Sequence, residues 1–187
     1  MKQKIFKNWL IIIFVALIAI IPATPLKAER AIDVAREKGF KLEEKYQPAG
    51  SIITEINTGQ ILWQENANKL LPPASMSKLM TLLLAYEAIG AGKFNINTVV
   101  AANKKHLDIS SRHSLSNNKI LPGASYTVSE LIDLIIVPSS AAATYMLADL
   151  IEPNPDKYAA LLNEKATALG MTNTTYYNAT IGVINKY

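Results

Sequence analysis

The chain predicts an α+β fold on three observations. After a short entry helix its β-rich runs lie ahead of its main helices, those helices carry their own start and stop signals, and there is no cysteine to staple a smaller framework. Strands followed by helices, rather than alternating with them, point to an antiparallel sheet packed on a buried helical cluster. At 187 residues the chain is long enough for one domain with a sizeable core. No repeat, low-complexity tract or linker divides it.

Residues 1–28 stand apart. Lys2, Lys4 and Lys7 precede an apolar run from Trp9 to Ile21, followed by Pro22 and small residues up to Ala28. This is the layout of a signal peptide, and the run is short of the roughly 20 residues a bilayer-spanning helix needs. Cleavage after Ala28 leaves 29–187 as the exported domain, acting in the cell wall or at the outer face of the cytoplasmic membrane; an uncleaved anchor is the alternative. Removing the segment takes away four of the 19 basic residues and none of the 15 acidic ones. The balanced remainder gives no electrostatic footprint for nucleic acid, despite a whole-chain pI of 9.2. The missing cysteines exclude disulfides, Cys-ligated metal and Cys nucleophiles, and no cofactor or metal is assigned.

In the exported part, "ERAIDVAREKGF" predicts a short helix ended by Gly39. Ser51 to Ile56 and Gln60 to Trp63 are β-rich runs joined by Asn57-Thr58-Gly59, a hairpin signal. Met76 to Ile89 is apolar on most faces, which predicts a buried central helix capped by Gly90. Thr127 and Glu130 have capping-box spacing ahead of "LIDLIIV". A further helix is expected from the Ser139-Ser140 turn to Ile151. The last helix is capped by Asn154, with Pro155 in its first position and Gly170 closing it, and Thr174 to Asn178 is expected to be extended.

Chemistry concentrates in "PPASMSKLM", where Ser75 and Lys78 lie three residues apart at a helix start. A serine hydroxyl is a poor nucleophile until a neighbouring base takes its proton. Residues three apart share a helix face, and a lysine buried among Leu79 and Leu82 would lose hydration and become available as a base. The spacing alone also fits a plain N-cap serine with a solvated lysine. It recurs at Ser116 and Lys119, in a polar stretch where no buried helix is expected.

The wider context decides between these readings. Trp63, Asn66, Ala67, Lys69, Pro73, Ala74, Ser75 and Lys78, following the NTG hairpin, resemble the opening of the penicillin-binding D-alanyl-D-alanine carboxypeptidases. "LPGASYTVSELIDLIIVPSSAAATYMLADLI" is similar to the family's capped helix, second motif and following helix, and the likeness runs from about Ala49 to Thr180. It implies a β-lactamase/transpeptidase-like fold in which Ser75 forms the acyl-enzyme, Lys78 is its base and Ser139 relays a proton. The implied partners are a peptidoglycan stem peptide ending in D-Ala-D-Ala, β-lactams as acylating inhibitors and, in a longer form, the membrane surface.

Two departures accompany the resemblance. Ala141 stands where the family's S-x-N motif has an amide that would orient the lysine and bind the substrate backbone. Ser116-Asn117-Asn118 matches that motif as text but precedes the capped helix, so it is read as a strand or loop beside the site. The third motif, K-T-G, is absent, and the family's Asn-Pro-Thr-Gly turn is altered to Asn178-Ala179-Thr180-Ile181-Gly182. The expectation is therefore the N-terminal part of a longer enzyme, with the C-terminal part of the fold missing. The alternatives are a truncated or non-catalytic family member, or a related β-lactamase-class acyl-enzyme, which would need an additional deacylating glutamate. His106 and His113 are read as surface residues, Tyr176 and Tyr177 as packing residues, and Glu55, Glu65 and Asp133 as no catalytic pair.

Overall fold

The structure, a computed structural model, describes residues 30–177. The signal segment 1–28 and the altered turn Asn178 to Gly182 lie outside the described residues. The chain divides into two compact units that meet in sequence at Lys69 and Leu70.

The first unit holds helix α1 (Ala31–Glu37), a 3-10 turn (Glu44–Tyr46) and strands β1 (Ser51–Thr54) and β2 (Ile61–Glu65). The strands form the expected antiparallel hairpin, with Ser51 opposite Glu65 and Thr54 opposite Ile61. β1 stops short of Ile56 because the Glu55 carboxylate accepts from the Thr58 hydroxyl at 2.7 Å and from the Thr58 and Asn57 N–H groups at 2.7 and 3.1 Å. Those bonds curl the chain into its turn and pull the Glu55 pKa down to about 2. Glu65, buried at the end of β2, accepts from Ala31 N at 2.9 Å and Gln47 Nε2 at 2.8 Å, pinning α1 to the hairpin.

The second unit contains α2 (Lys78–Gly90), β3 (Val99–Ala101), α3 (Lys104–Ser110), β4 (Ser125–Thr127), α4 (Val128–Ile136), α5 (Ala141–Ile151) and α6 (Pro155–Ala168). The capping signals act as read. Thr127 Oγ1 accepts from Glu130 N while Glu130 Oε2 accepts from Thr127 N, and Asn154 Oδ1 accepts from the Asp156 and Lys157 N–H groups. α2 runs through Gly90 rather than ending there. It is Gly92, at φ +70°, that takes the left-handed position, letting Lys93 N reach Ala88 O at 3.0 Å. The expected sheet appears among the described residues as two separate antiparallel pairs, β1-β2 and β3-β4. Thr174 to Tyr177 has no regular structure. No helix among the described residues is long and apolar enough to cross a membrane.

α5 is the hub of this unit. Ala142, Ala143, Met146 and Leu147 are fully buried against Val128, Leu131 and Ile135 of α4 and Leu82 and Ala85 of α2. A second cluster packs Met80 and Leu84 of α2 on Tyr158, Leu162 and Ala166 of α6. Small residues on α5 let its neighbours approach closely, and the packing holds one face of α2. The other face is not buried as the sequence predicted. Leu79 is 65 % exposed and Tyr86 54 %, as is Met76 (68 %) in the turn before the helix, because apolar periodicity shows where a side chain could pack and not which neighbours come to it.

One polar bond crosses the second cluster. The hydroxyl of Tyr158 donates to Thr81 Oγ1 at 2.9 Å with both side chains buried, and burial pushes the phenol pKa upward. Tyr158→Phe leaves the Thr81 hydroxyl without this donor. The expected loss is about 1 kcal/mol, read as a lowered melting temperature at unchanged secondary structure.

Candidate active site

The approach to Ser75 is made by Pro72 and Pro73, which restrict the backbone, and by Ala74, held in the left-handed region at φ +48°. Ser75 lies in a 3-10 turn, Ala74–Ser77, that leads directly into α2. In 3-10 geometry residues i and i+3 eclipse, so Lys78 stands over Ser75 more directly than an α-helical start would place it. Neither Ser75 nor Ser77 caps the helix with its side chain, which sets aside the plain N-cap reading. Ser75 is exposed to solvent while Lys78 is only 3 % exposed.

The lysine end is fully engaged. Nζ lies 3.2 Å from Ser75 Oγ and 2.9 Å from Ser139 Oγ, and it donates to the main-chain carbonyl of Ser139 as well. Burial disfavours the ammonium and holds Lys78 below the usual lysine range. In the charged form three N–H groups meet three oxygens. In the neutral form two N–H groups remain for Ser139, and the nitrogen lone pair can accept the Ser75 hydroxyl hydrogen.

Ser139 comes from the turn between α4 and α5, 61 residues along the chain from Lys78. It too lies in the left-handed region, at φ +57°, an uncommon place for a serine. Ser140 N donates to Leu134 O at 2.8 Å and tightens the turn, and Ser140 Oγ caps α5 by accepting from Ala143 N at 3.1 Å. The structure thus brings Ser75, Lys78 and Ser139 together as one cluster.

Ala141 is 1 % exposed and belongs to the hydrophobic cluster around α5. An Ala141→Asn substitution must place an amide among these apolar neighbours. We expect it to cost about 1–3 kcal/mol in denaturant unfolding, so restoring the motif letter would destabilise the unit.

The second S-x-x-K, Ser116 to Lys119, lies in a loop without helical structure. That loop sits beside the cluster, since Ser116 O accepts from Ala141 N at 2.9 Å. The reading of His106 as a surface residue is overturned. It is 2 % exposed, its Nδ1 accepts from Asn103 N at 3.1 Å, and its Nε2 lies 3.0 Å from Asp149 Oδ2. Its place in a short capped helix buried against α5 explains why polar neighbours in sequence misled the reading. His113 is exposed. Tyr176 packs against the second cluster as expected, whereas Tyr177 is exposed and packs on nothing there.

Residues 40–185 match the family profile described as D-alanyl-D-alanine carboxypeptidase. The chain is 30% identical over 149 residues to D-alanyl-D-alanine carboxypeptidase DacF of Bacillus subtilis, covering 78% of this chain and 37% of that protein. Among solved structures it is similar to PBP3 of Streptococcus pneumoniae, a peptidoglycan synthesis regulatory factor, with a TM-score of 0.66 at 29% identity over 70% of this chain and 36% of that one. It is also similar to the D-alanyl-D-alanine carboxypeptidase DacD of Francisella tularensis, with a TM-score of 0.66 at 25% identity over 81% and 37% of the two chains. The chain therefore spans about a third of the length of the curated relatives it matches, 37% and 32% for the first two.

Proposed function

Because the chain belongs to the D-alanyl-D-alanine carboxypeptidase family, we propose that it supplies the nucleophile, base and relay serine of an enzyme that removes the terminal D-alanine from peptidoglycan stem peptides. The observation that carries this reading is the convergence of Ser75 and Ser139 on the buried Lys78 nitrogen. Neutral Lys78 takes the Ser75 proton as Oγ attacks the carbonyl carbon of the penultimate D-alanine. The proton returns through Ser139 Oγ to the leaving amine as the peptide bond breaks, releasing D-alanine and leaving an ester on Ser75. Water then attacks the ester carbonyl, giving a proton to Lys78, which returns it to Ser75 Oγ as the acyl–oxygen bond breaks and the shortened peptide leaves as its carboxylate. A β-lactam would acylate the same oxygen, its ring amide taking the place of the scissile bond. The domain at residues 29–187 would act after export, outside the cytoplasm, with the membrane surface a further partner of a longer form.

The test is release of the terminal alanine from a peptide ending in D-Ala-D-Ala, with the isomer ending in D-Ala-L-Ala as control. Release from both peptides alike, or from neither, counts against the reading. The buried Ala141 favours a second reading, a family member that acylates but turns over poorly. It predicts a stable penicillin adduct on Ser75 without D-alanine release.

A further inference from the structure

We propose that Asn117 is a positioning residue that fixes the Ser139 turn against Lys78; this rests on the reading of the Ser75 cluster above. The first three N–H groups of a helix have no partner within it and must be met from outside. In α5 they are met from three sources. Ala141 N donates to Ser116 O at 2.9 Å, Ala142 N to Asn117 Oδ1 at 2.9 Å, and Ala143 N to Ser140 Oγ at 3.1 Å. Only the third is local. The other two come from the loop between α3 and β4, so the place where α5 starts is set by residues 116 and 117.

The Asn117 amide does more than cap. Its Nδ2 donates to Ile109 O at 3.0 Å, a carbonyl in the last turn of α3 that also accepts from Arg112 N. One side chain therefore ties the end of α3 to the start of α5, using both ends of its amide. Two residues before α5 begins, Ser139 sits in the left-handed region with both of its oxygens on Lys78. A left-handed serine persists only where its surroundings hold it. Leu134 O, through Ser140 N, holds the side toward α4, and Asn117 holds the side toward α5. Among the described residues the amide makes no hydrogen bond to the three reacting side chains and acts on the cluster through the main chain.

Asn117→Leu removes both bonds at similar volume. Asn117→Asp keeps the acceptor for Ala142 N, where a helix start favours negative charge, and loses the donor to Ile109 O. Lys119→Ala, exposed in the same loop, is the control. In the 187-residue chain, the pH titration of the Lys78 side-chain carbon signal and the exchange of the Ala142 amide are followed by NMR, beside the rate of fluorescent penicillin labelling at Ser75.

We expect Asn117→Leu to raise Ala142 exchange and to slow labelling by about tenfold or more, because small misplacements of reacting groups are costly. It should also move the Lys78 midpoint up toward ordinary lysine as water reaches the nitrogen. Asn117→Asp should recover the larger part of each effect, which general loosening of the fold would not allow. A Lys78 midpoint in Asn117→Leu that is unmoved or lowered overturns the proposal, as does an aspartate variant no better than leucine. If the unsubstituted chain takes no label, the acyl-enzyme reading fails while the Lys78 titration still decides the role of Asn117.

Discussion

Replacing Ser75 by alanine is expected to abolish covalent labelling by a fluorescent penicillin, a loss of at least about a thousandfold, with stability changed by no more than about 0.5 kcal/mol. The asymmetry follows from its setting. Ser75 is exposed and makes no helix-capping bond, so its hydroxyl holds little of the structure together. Among the described residues its hydroxyl contacts Lys78 Nζ, at 3.2 Å. Gel fluorescence and a melting curve on the same preparation measure both quantities. Label retained in the alanine variant would move the nucleophile elsewhere.

Lys78→Arg should be almost as damaging to acylation, by about 10²- to 10⁴-fold, although it preserves charge and hydrogen-bond donors. A guanidinium is not deprotonated in proteins and cannot accept the Ser75 proton at any accessible pH. The unsubstituted chain should label faster as pH rises through the lowered titration range of Lys78 and then level off, while the arginine variant should lack that step. Stability has a matching sign. Burial lowers the folded-state pKa of Lys78, so between that value and the ordinary 10.5 of the unfolded chain the unfolded state binds more protons. Stability therefore increases with pH across this window, as the cost of burying an ammonium disappears. Lys78→Met should flatten that slope. A slope unchanged by methionine would mean that another group produces it.

The parts of the fold legible in the sequence were those coded by neighbours. The Thr127–Glu130 box, the Asn154–Pro155 start and the Asn57-Thr58-Gly59 hairpin each need only a few adjacent residues to satisfy backbone groups, and each forms as read. Strands β3 and β4 leave no mark in the sequence, because three residues give alternation too little length to register. The exposed face of α2 and the burial of His106 are hidden from the sequence for a related reason: both depend on which distant elements arrive. The cluster divides the same way. Ser75 and Lys78 are visible as a spacing, and Ser139 through its likeness to a family motif. The roles of Ser116 and Asn117 leave no local signal, because what they satisfy is the start of a helix more than 20 residues away.

The contact between Lys78 and Ser139 spans 61 positions of chain, so it cannot exist until α4 and α5 have docked on α2. Before that moment Lys78 is an ordinary hydrated ammonium, and Ser75 is no more reactive than any serine on an unfolded chain. On the proposed function, reactivity would thus be acquired with tertiary assembly and not with helix formation. If the chain is exported unfolded, as the proposed function has it, Ser75 would pass through the translocation channel in a silent form. The appearance of penicillin labelling after dilution from denaturant would time the docking of α5, and should lag behind the recovery of helical circular dichroism.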